Sequence, residues 1–183
     1  MEDNIGDVSV VLGADNVKYY IEKDHIPSDI VIIHKNFNKR FNRDDVALIH
    51  LKRSAEVLSF RYHIPEIFDI LPNLECEIAG YGSKHTLRTN SLILYSGKTR
   101  LISNDECASS MSVLLARDTI CTKNRGTAPC GGDSGGPLFC GGYLVGVVSH
   151  GPVCHMIEMP SVYAFTPRYK KWIGRATTSY KGL

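Results

Sequence analysis

The sequence predicts an all-β chain closed by a single C-terminal helix, and three observations carry that class. Short apolar runs of strand length recur along the 183 residues, Gly, Asn, Asp or Pro separates each from the next, and helical spacing of apolar residues is confined to the last segment. The runs fall at 8–12, 29–34, 46–51, 76–81, 91–95, 137–140, 143–149 and 162–165. Each is rich in Val, Ile and Leu, the pattern of a sandwich or a barrel. For the helix, Thr166 is placed to cap, Pro167 suits the first turn, and Tyr169, Trp172, Ile173 and Ala176 share a face. A subdomain break falls near Leu71-Pro72-Asn73.

A hydrophobic share of 43% permits a sizeable core and excludes disorder as the main description. With 21 Lys and Arg against 19 Asp and Glu, the near-neutral balance gives no reason to expect a nucleic-acid or membrane-surface partner. No run approaches the roughly 18 apolar residues of a spanning helix. The acidic start, Met1-Glu2-Asp3-Asn4-Ile5-Gly6-Asp7, lacks the apolar stretch of a secretory signal. The cysteines are Cys76, Cys107, Cys121, Cys130, Cys140 and Cys154, with no Cys-x-x-Cys pair. An even set in one region reads as a disulfide framework of an oxidising compartment, or as reduced thiols acting as small hydrophobes. Spacing alone prefers no pairing.

Chemistry concentrates in Cys130-Gly131-Gly132-Asp133-Ser134-Gly135-Gly136-Pro137-Leu138. A serine among four glycines keeps its hydroxyl uncovered, and the amides beside it can stabilise an oxyanion during acyl transfer. A structural Gly-rich turn is the other reading of the same residues. A phosphate cradle fails because no Gly-Lys-Ser/Thr follows.

Gly132-Asp133-Ser134-Gly135-Gly136-Pro137-Leu138 resembles the nucleophile motif of the chymotrypsin-like (trypsin-fold) serine proteases. Asn42-Arg43-Asp44-Asp45-Val46-Ala47-Leu48 is similar to that family's segment around its catalytic aspartate. Cys76-Glu77-Ile78-Ala79-Gly80-Tyr81-Gly82 resembles the opening of the second barrel, and Val148-Ser149-His150-Gly151 the strand that pairs with substrate backbone. Pro160-Ser161-Val162-Tyr163 resembles a late pocket strand, and 169–173 the terminal helix, so the likeness runs from 8 to 173.

The resemblance implies two six-stranded antiparallel Greek-key barrels, the first incomplete, plus a C-terminal helix. Residues 1–72 would form the incomplete barrel, 73–166 the second, and 167–183 the helix and tail, together one peptidase domain. It implies Ser134 as nucleophile, Asp45 as the orienting carboxylate, the amides of Gly132 and Ser134 as oxyanion hole, and Asp133 as activation carboxylate. It implies a substrate pocket from Ala128, Ser149, His150, Gly151 and Ser161, and disulfides Cys76–Cys140, Cys107–Cys121 and Cys130–Cys154. Ala128 at the pocket base disfavours Lys or Arg, because no carboxylate compensates a buried cation. Gly151 leaves a wall open and Ser161 shortens the pocket, so medium apolar side chains are expected.

The reaction also needs a histidine, which in this family precedes the aspartate. Only His25 and His34 precede Asp45, neither within Ala-Ala-His-Cys, and 8–13 resembles the strand that follows that histidine. The resemblance therefore places the catalytic histidine, the activation N-terminus and an export signal before Met1, and the chain alone is expected to be inactive. Asp133 is expected to lack its cation, an unpaired buried charge costing about 3–5 kcal/mol. His150 stands where the family usually has Trp and is the nearest stand-in for a base. His25, His34, His63, His85 and His155 read as solvated, and His50 as pointing outward by strand alternation.

Two functions follow: a secreted serine endopeptidase, or a non-catalytic homologue acting as a binding or regulatory module. Protein or peptide substrates and inhibitor proteins are the partners that the resemblance implies, with a monomer expected. No cofactor is expected, and no metal, because the family's calcium-loop carboxylates are not recognisable between Gly13 and Asp24.

Overall fold

The computed structural model describes residues 8–19, 25–55, 63–66, 72–83, 90–112, 115–124, 126–152 and 159–179. Strands β1 (Ser9–Val11), β2 (His25–Ile33) and β3 (Ala47–Leu51) form an antiparallel sheet in the order β1-β2-β3. Six further strands close into an antiparallel barrel: β4 (Glu75–Gly80), β5 (Tyr95–Ile102), β6 (Thr119–Asn124), β7 (Pro137–Cys140), β8 (Tyr143–His150) and β9 (Ser161–Phe165). Around the barrel the order is β4-β5-β6-β9-β8-β7, closed where β7 pairs with β4. The core lies inside it, with Leu101, Leu138, Val145 and Tyr163 almost wholly buried. Burial pushes the Tyr163 phenol well above the ordinary tyrosine value, and its hydroxyl sits 3.1 Å from Thr122 Oγ1.

The architecture is thus one closed barrel, a partial sheet and a C-terminal helix, and several local expectations need correction. The expected strand 91–95 is irregular until Tyr95, where β5 begins. Strand β6 was not expected, because its fully buried Thr122 and its Lys123 break any apolar run. A second helix, α1 (Asn104–Met111), also stands against the expectation of a single one. Ser103 caps it, its Oγ accepting from the Glu106 amide at 3.1 Å. Only Cys107 of α1 is buried, so no apolar face advertises the helix, although Ser103 and Glu106 have capping-box spacing.

The chain ends in a 3₁₀ turn (Thr166–Tyr169) running into α2 (Lys170–Ser179). Phe165 occupies the N-cap without a side-chain bond. Thr166 is not the cap: it lies one residue inside, and its hydroxyl donates to the Leu144 carbonyl at 2.6 Å on β8. Pro167 keeps its first-turn place. His34 is not solvated either, since its ring lies edge-on to Tyr169 and Trp172 at 5.4 and 5.0 Å, joining the partial sheet to the helix.

Candidate active site

The glycine-rich stretch is a tight loop entering β7. The Asp133 amide donates to the Cys130 carbonyl at 2.9 Å, and the Gly136 amide to the Asp133 carbonyl at 2.8 Å. Gly132 and Gly135 adopt φ of +98° and +83°, a region that L side chains rarely enter. The loop is tied to β8 by two bonds: Gly135 donates to Val148 at 2.9 Å, and Val148 donates to Gly136 at 2.8 Å. Ser134 stands exposed at its crest, between Asp133 and Gly135.

Asp133 points the other way. Its Oδ1 accepts from the Gly82 amide at 2.8 Å and its Oδ2 from the Cys130 amide at 2.9 Å. Gly80 and Gly82 are open because this carboxylate fills the space: a Cβ on either would lie 1.9 and 2.3 Å from its oxygens. No Lys, Arg or His pairs with Asp133 among the described residues. Asp133 thus has no cation partner among the described residues, and two amides hold its charge instead.

Asp45 lies two residues before β3, where the backbone bends through Asp44 at φ 49°. Its Oδ2 accepts from Ser149 Oγ on β8 at 2.7 Å, across 104 residues of sequence. Ser149 follows Val148, the residue that holds the Gly135-Gly136 pair. Asp45 and the Ser134 loop thus reach neighbouring residues of one strand. Ser149 Oγ is also 3.1 Å from His150 Nδ1. Burial holds the His150 imidazole below the ordinary histidine value, and the Asp45 charge opposes that shift.

That shift has a pH consequence. Because the folded-state value is depressed, the unfolded chain takes up a proton here first. The stability linked to His150 is complete above about pH 6.5 and is lost as pH falls through the folded-state value. His150→Gln is expected to flatten the acid limb of the stability–pH curve, measured by urea denaturation. An unchanged limb would contradict the assignment.

The other described histidines are engaged elsewhere. His25 Nδ1 is 2.9 Å from Ser9 Oγ, His34 packs on the terminal aromatic rings, and the exposed His50 Nδ1 lies 2.6 Å from Asp29 Oδ1. His63 is exposed and bridges to Tyr143, while His85 and His155 lie outside the described residues.

Gly151 and Ser161 adjoin, a Cβ on Gly151 lying 3.4 Å from Ser161 Cα. Ala128 lines a cavity of about 280 Å³ that also touches Asp133, Ile78, Gly97 and Val148. That cavity escapes sequence reading because its wall comes from three strands and the loop between β6 and β7. Disulfides join Cys76 to Cys140 and Cys107 to Cys121. Cys130 is also disulfide-bonded, and Cys154, its expected partner, lies outside the described residues. No cluster of three metal-ligating side chains occurs among the described residues, and no helix there is long and apolar enough to cross a membrane.

Comparison with known proteins agrees with this geometry. The Trypsin family pattern matches residues 2–173. Trypsin I-P1 of Gallus gallus is 32% identical over 160 residues, covering 84% of this chain and 64% of its own length. Kallikrein-2 of Homo sapiens is 41% identical over 104 residues, covering 54% of this chain and 39% of its own. The solved structure of neuropsin, a serine protease expressed in the limbic system of mouse brain, superposes with a TM-score of 0.81 at 25% identity. The match covers 93% of this chain and 78% of neuropsin. This chain therefore spans less than two thirds of the length of the trypsin it matches. Loop, carboxylate, barrel and disulfides, with these likenesses, make the chain a member of the trypsin family of serine proteases.

Proposed function

We propose that this chain carries the nucleophile half of a secreted serine endopeptidase, with Ser134 as nucleophile and Asp45 as the carboxylate that orients the base. The observation that supports it most is the 2.7 Å bond from Ser149 to Asp45, beside the strand residue that anchors the Ser134 loop. In the reaction, Ser134 Oγ attacks the peptide carbonyl carbon while a base removes its proton, and the oxyanion is received by the amides of Gly132 and Ser134. The C–N bond then breaks, the amine leaves with the proton, and water releases the acyl group from Ser134. Asp45 stabilises the protonated imidazole of the base. No histidine is hydrogen-bonded to Ser134 among the described residues, and the chain alone is proposed to be inactive.

Gly151 and Ser161 would wall a pocket for apolar side chains, with Ala128 leaving its base neutral. Asp133, which lines the cavity of about 280 Å³ beside Ile78 and Val148, suits an incoming amino terminus bearing an apolar side chain. The second reading, a non-catalytic homologue, is favoured by the amide-held Asp133 and by the engagement of His150 with Ser149.

A fluorophosphonate probe separates the two. The isolated chain is expected to label slowly, on Ser134 alone, with Ser134→Ala abolishing the adduct in mass spectrometry. Labelling spread over other serines, with none favoured, would support the non-catalytic reading.

A further inference from the structure

The chain's near-neutral charge hides a strong local asymmetry. Residues 34–43 carry Lys35, Lys39, Arg40 and Arg43 without one carboxylate, and 166–175 carry four more cations, again without one. Two ten-residue segments therefore hold eight of the 21 cations and none of the 19 acids. The fold brings them together, because His34 at the base of the first segment packs edge-on against Tyr169 and Trp172 in the second.

The first segment is a firm projection. Asn38 and Arg43 exchange backbone bonds at 3.0 and 3.2 Å, and Asn38 Oδ1 accepts from the Arg40 and Phe41 amides. On this frame Phe37 and Phe41 stay 40% and 60% exposed. The Arg40 and Arg43 guanidiniums sit 5.5 and 5.9 Å from the Phe41 ring centre. Lys35, Lys39, Arg40 and Arg43 are exposed and make no ion pair among the described residues, and on α2 Lys171 and Arg175, one turn apart, are exposed as well. Lys170 is occupied by Glu66. At the hairpin base, the Asp44 carboxylate lies 3.4 Å from His34 Nδ1, and the Asp44 amide is held by Asp118.

We infer that this hairpin and the adjoining face of α2 form a docking surface for an extended acidic peptide segment bearing aromatic or large aliphatic side chains. The cations supply the charge complement and lengthen the reach of attraction. The two uncovered phenylalanines, one already stacked with guanidinium groups, call for apolar side chains between the acids. A purely anionic polysaccharide would leave those side-chain contacts unmade. The surface ends two residues before Asp45, so a segment bound there would lie at the edge of the candidate site.

The test is fluorescence anisotropy with a labelled peptide of repeating Glu-Glu-Phe, beside Gln-Gln-Phe and Glu-Glu-Ala peptides and a heparin oligosaccharide. The Glu-Glu-Phe peptide is expected to bind tightest. Arg40→Glu with Arg43→Glu is expected to weaken it about tenfold, and raising salt to weaken it further. Phe41→Ala should weaken the Glu-Glu-Phe peptide and leave the Glu-Glu-Ala peptide unchanged; all three substitutions are at exposed positions, and circular dichroism checks the fold. Equal binding of the Glu-Glu-Ala peptide, tighter binding of heparin with no effect of Phe41→Ala, or no binding at all would overturn the inference. Binding here needs no catalytic step, so its failure would leave the peptidase reading standing.

Discussion

Replacing Cys76 and Cys140 together by alanine is expected to remove about 4 kcal/mol of stability, the chain-entropy value for a loop of this length. The bond spans 64 residues and joins directly paired positions of β4 and β7, the seam at which the barrel closes. Both sulfurs are buried, so the loss is not relieved by solvent. Against a total of about 5–15 kcal/mol for a domain, that is a large share. Cys107–Cys121 closes only 14 residues and ties α1 to β6, so its removal should cost less, about 3 kcal/mol. Urea denaturation of the two double variants checks the order; equal losses, or a loss under about 1 kcal/mol at the seam, would refute the role given to it.

Gly82→Ala is expected to be a strongly damaging single substitution near the site. The added methyl would meet Asp133 Oδ2 at 2.3 Å and its Cγ at 2.4 Å, while the Gly82 amide is itself a donor to that carboxylate. Moving the carboxylate away surrenders the amides of Gly82 and Cys130, so overpacking and a stranded charge add to about 3 kcal/mol. Because Asp133 adjoins Ser134, fluorophosphonate labelling should fall in the surviving folded fraction. Gly131→Ala is the control: nothing lies within 4 Å of its Cβ position, and the change should stay within about 0.5 kcal/mol. Similar effects of the two substitutions would remove the case for a glycine cradle around Asp133.

The parts of this molecule that were readable in the sequence share a physical character. Strands β7 and β8 announce themselves as apolar runs because they line the core, and the serine motif because only glycine tolerates its φ angles. Strand β6 is silent because it buries Thr119 and Thr122 as well as Ile120, and polar letters conceal a buried strand. Helix α1 is silent because one disulfide-bonded cysteine, not an apolar stripe, anchors it. For the site, the identities of Asp45, Asp133 and Ser134 were legible as motif residues. The amide cradle of Asp133 and the Ser149–Asp45 bond depend on long-range packing, which no local pattern encodes. His34 shows the same limit, since its aromatic partners lie some 135 residues further along the chain.

The central proposal is that Asp45 and Ser134 are the two ends of one catalytic arrangement whose imidazole none of the described residues brings to Ser134. Supplying free imidazole while measuring Ser134 acylation by an activated ester tests this most directly. The wild-type chain should show saturable acceleration, abolished by Ser134→Ala and cut severely by Asp45→Asn, because the carboxylate orients and stabilises the imidazolium. Acceleration of equal size in the wild-type and Asp45→Asn chains would contradict the account.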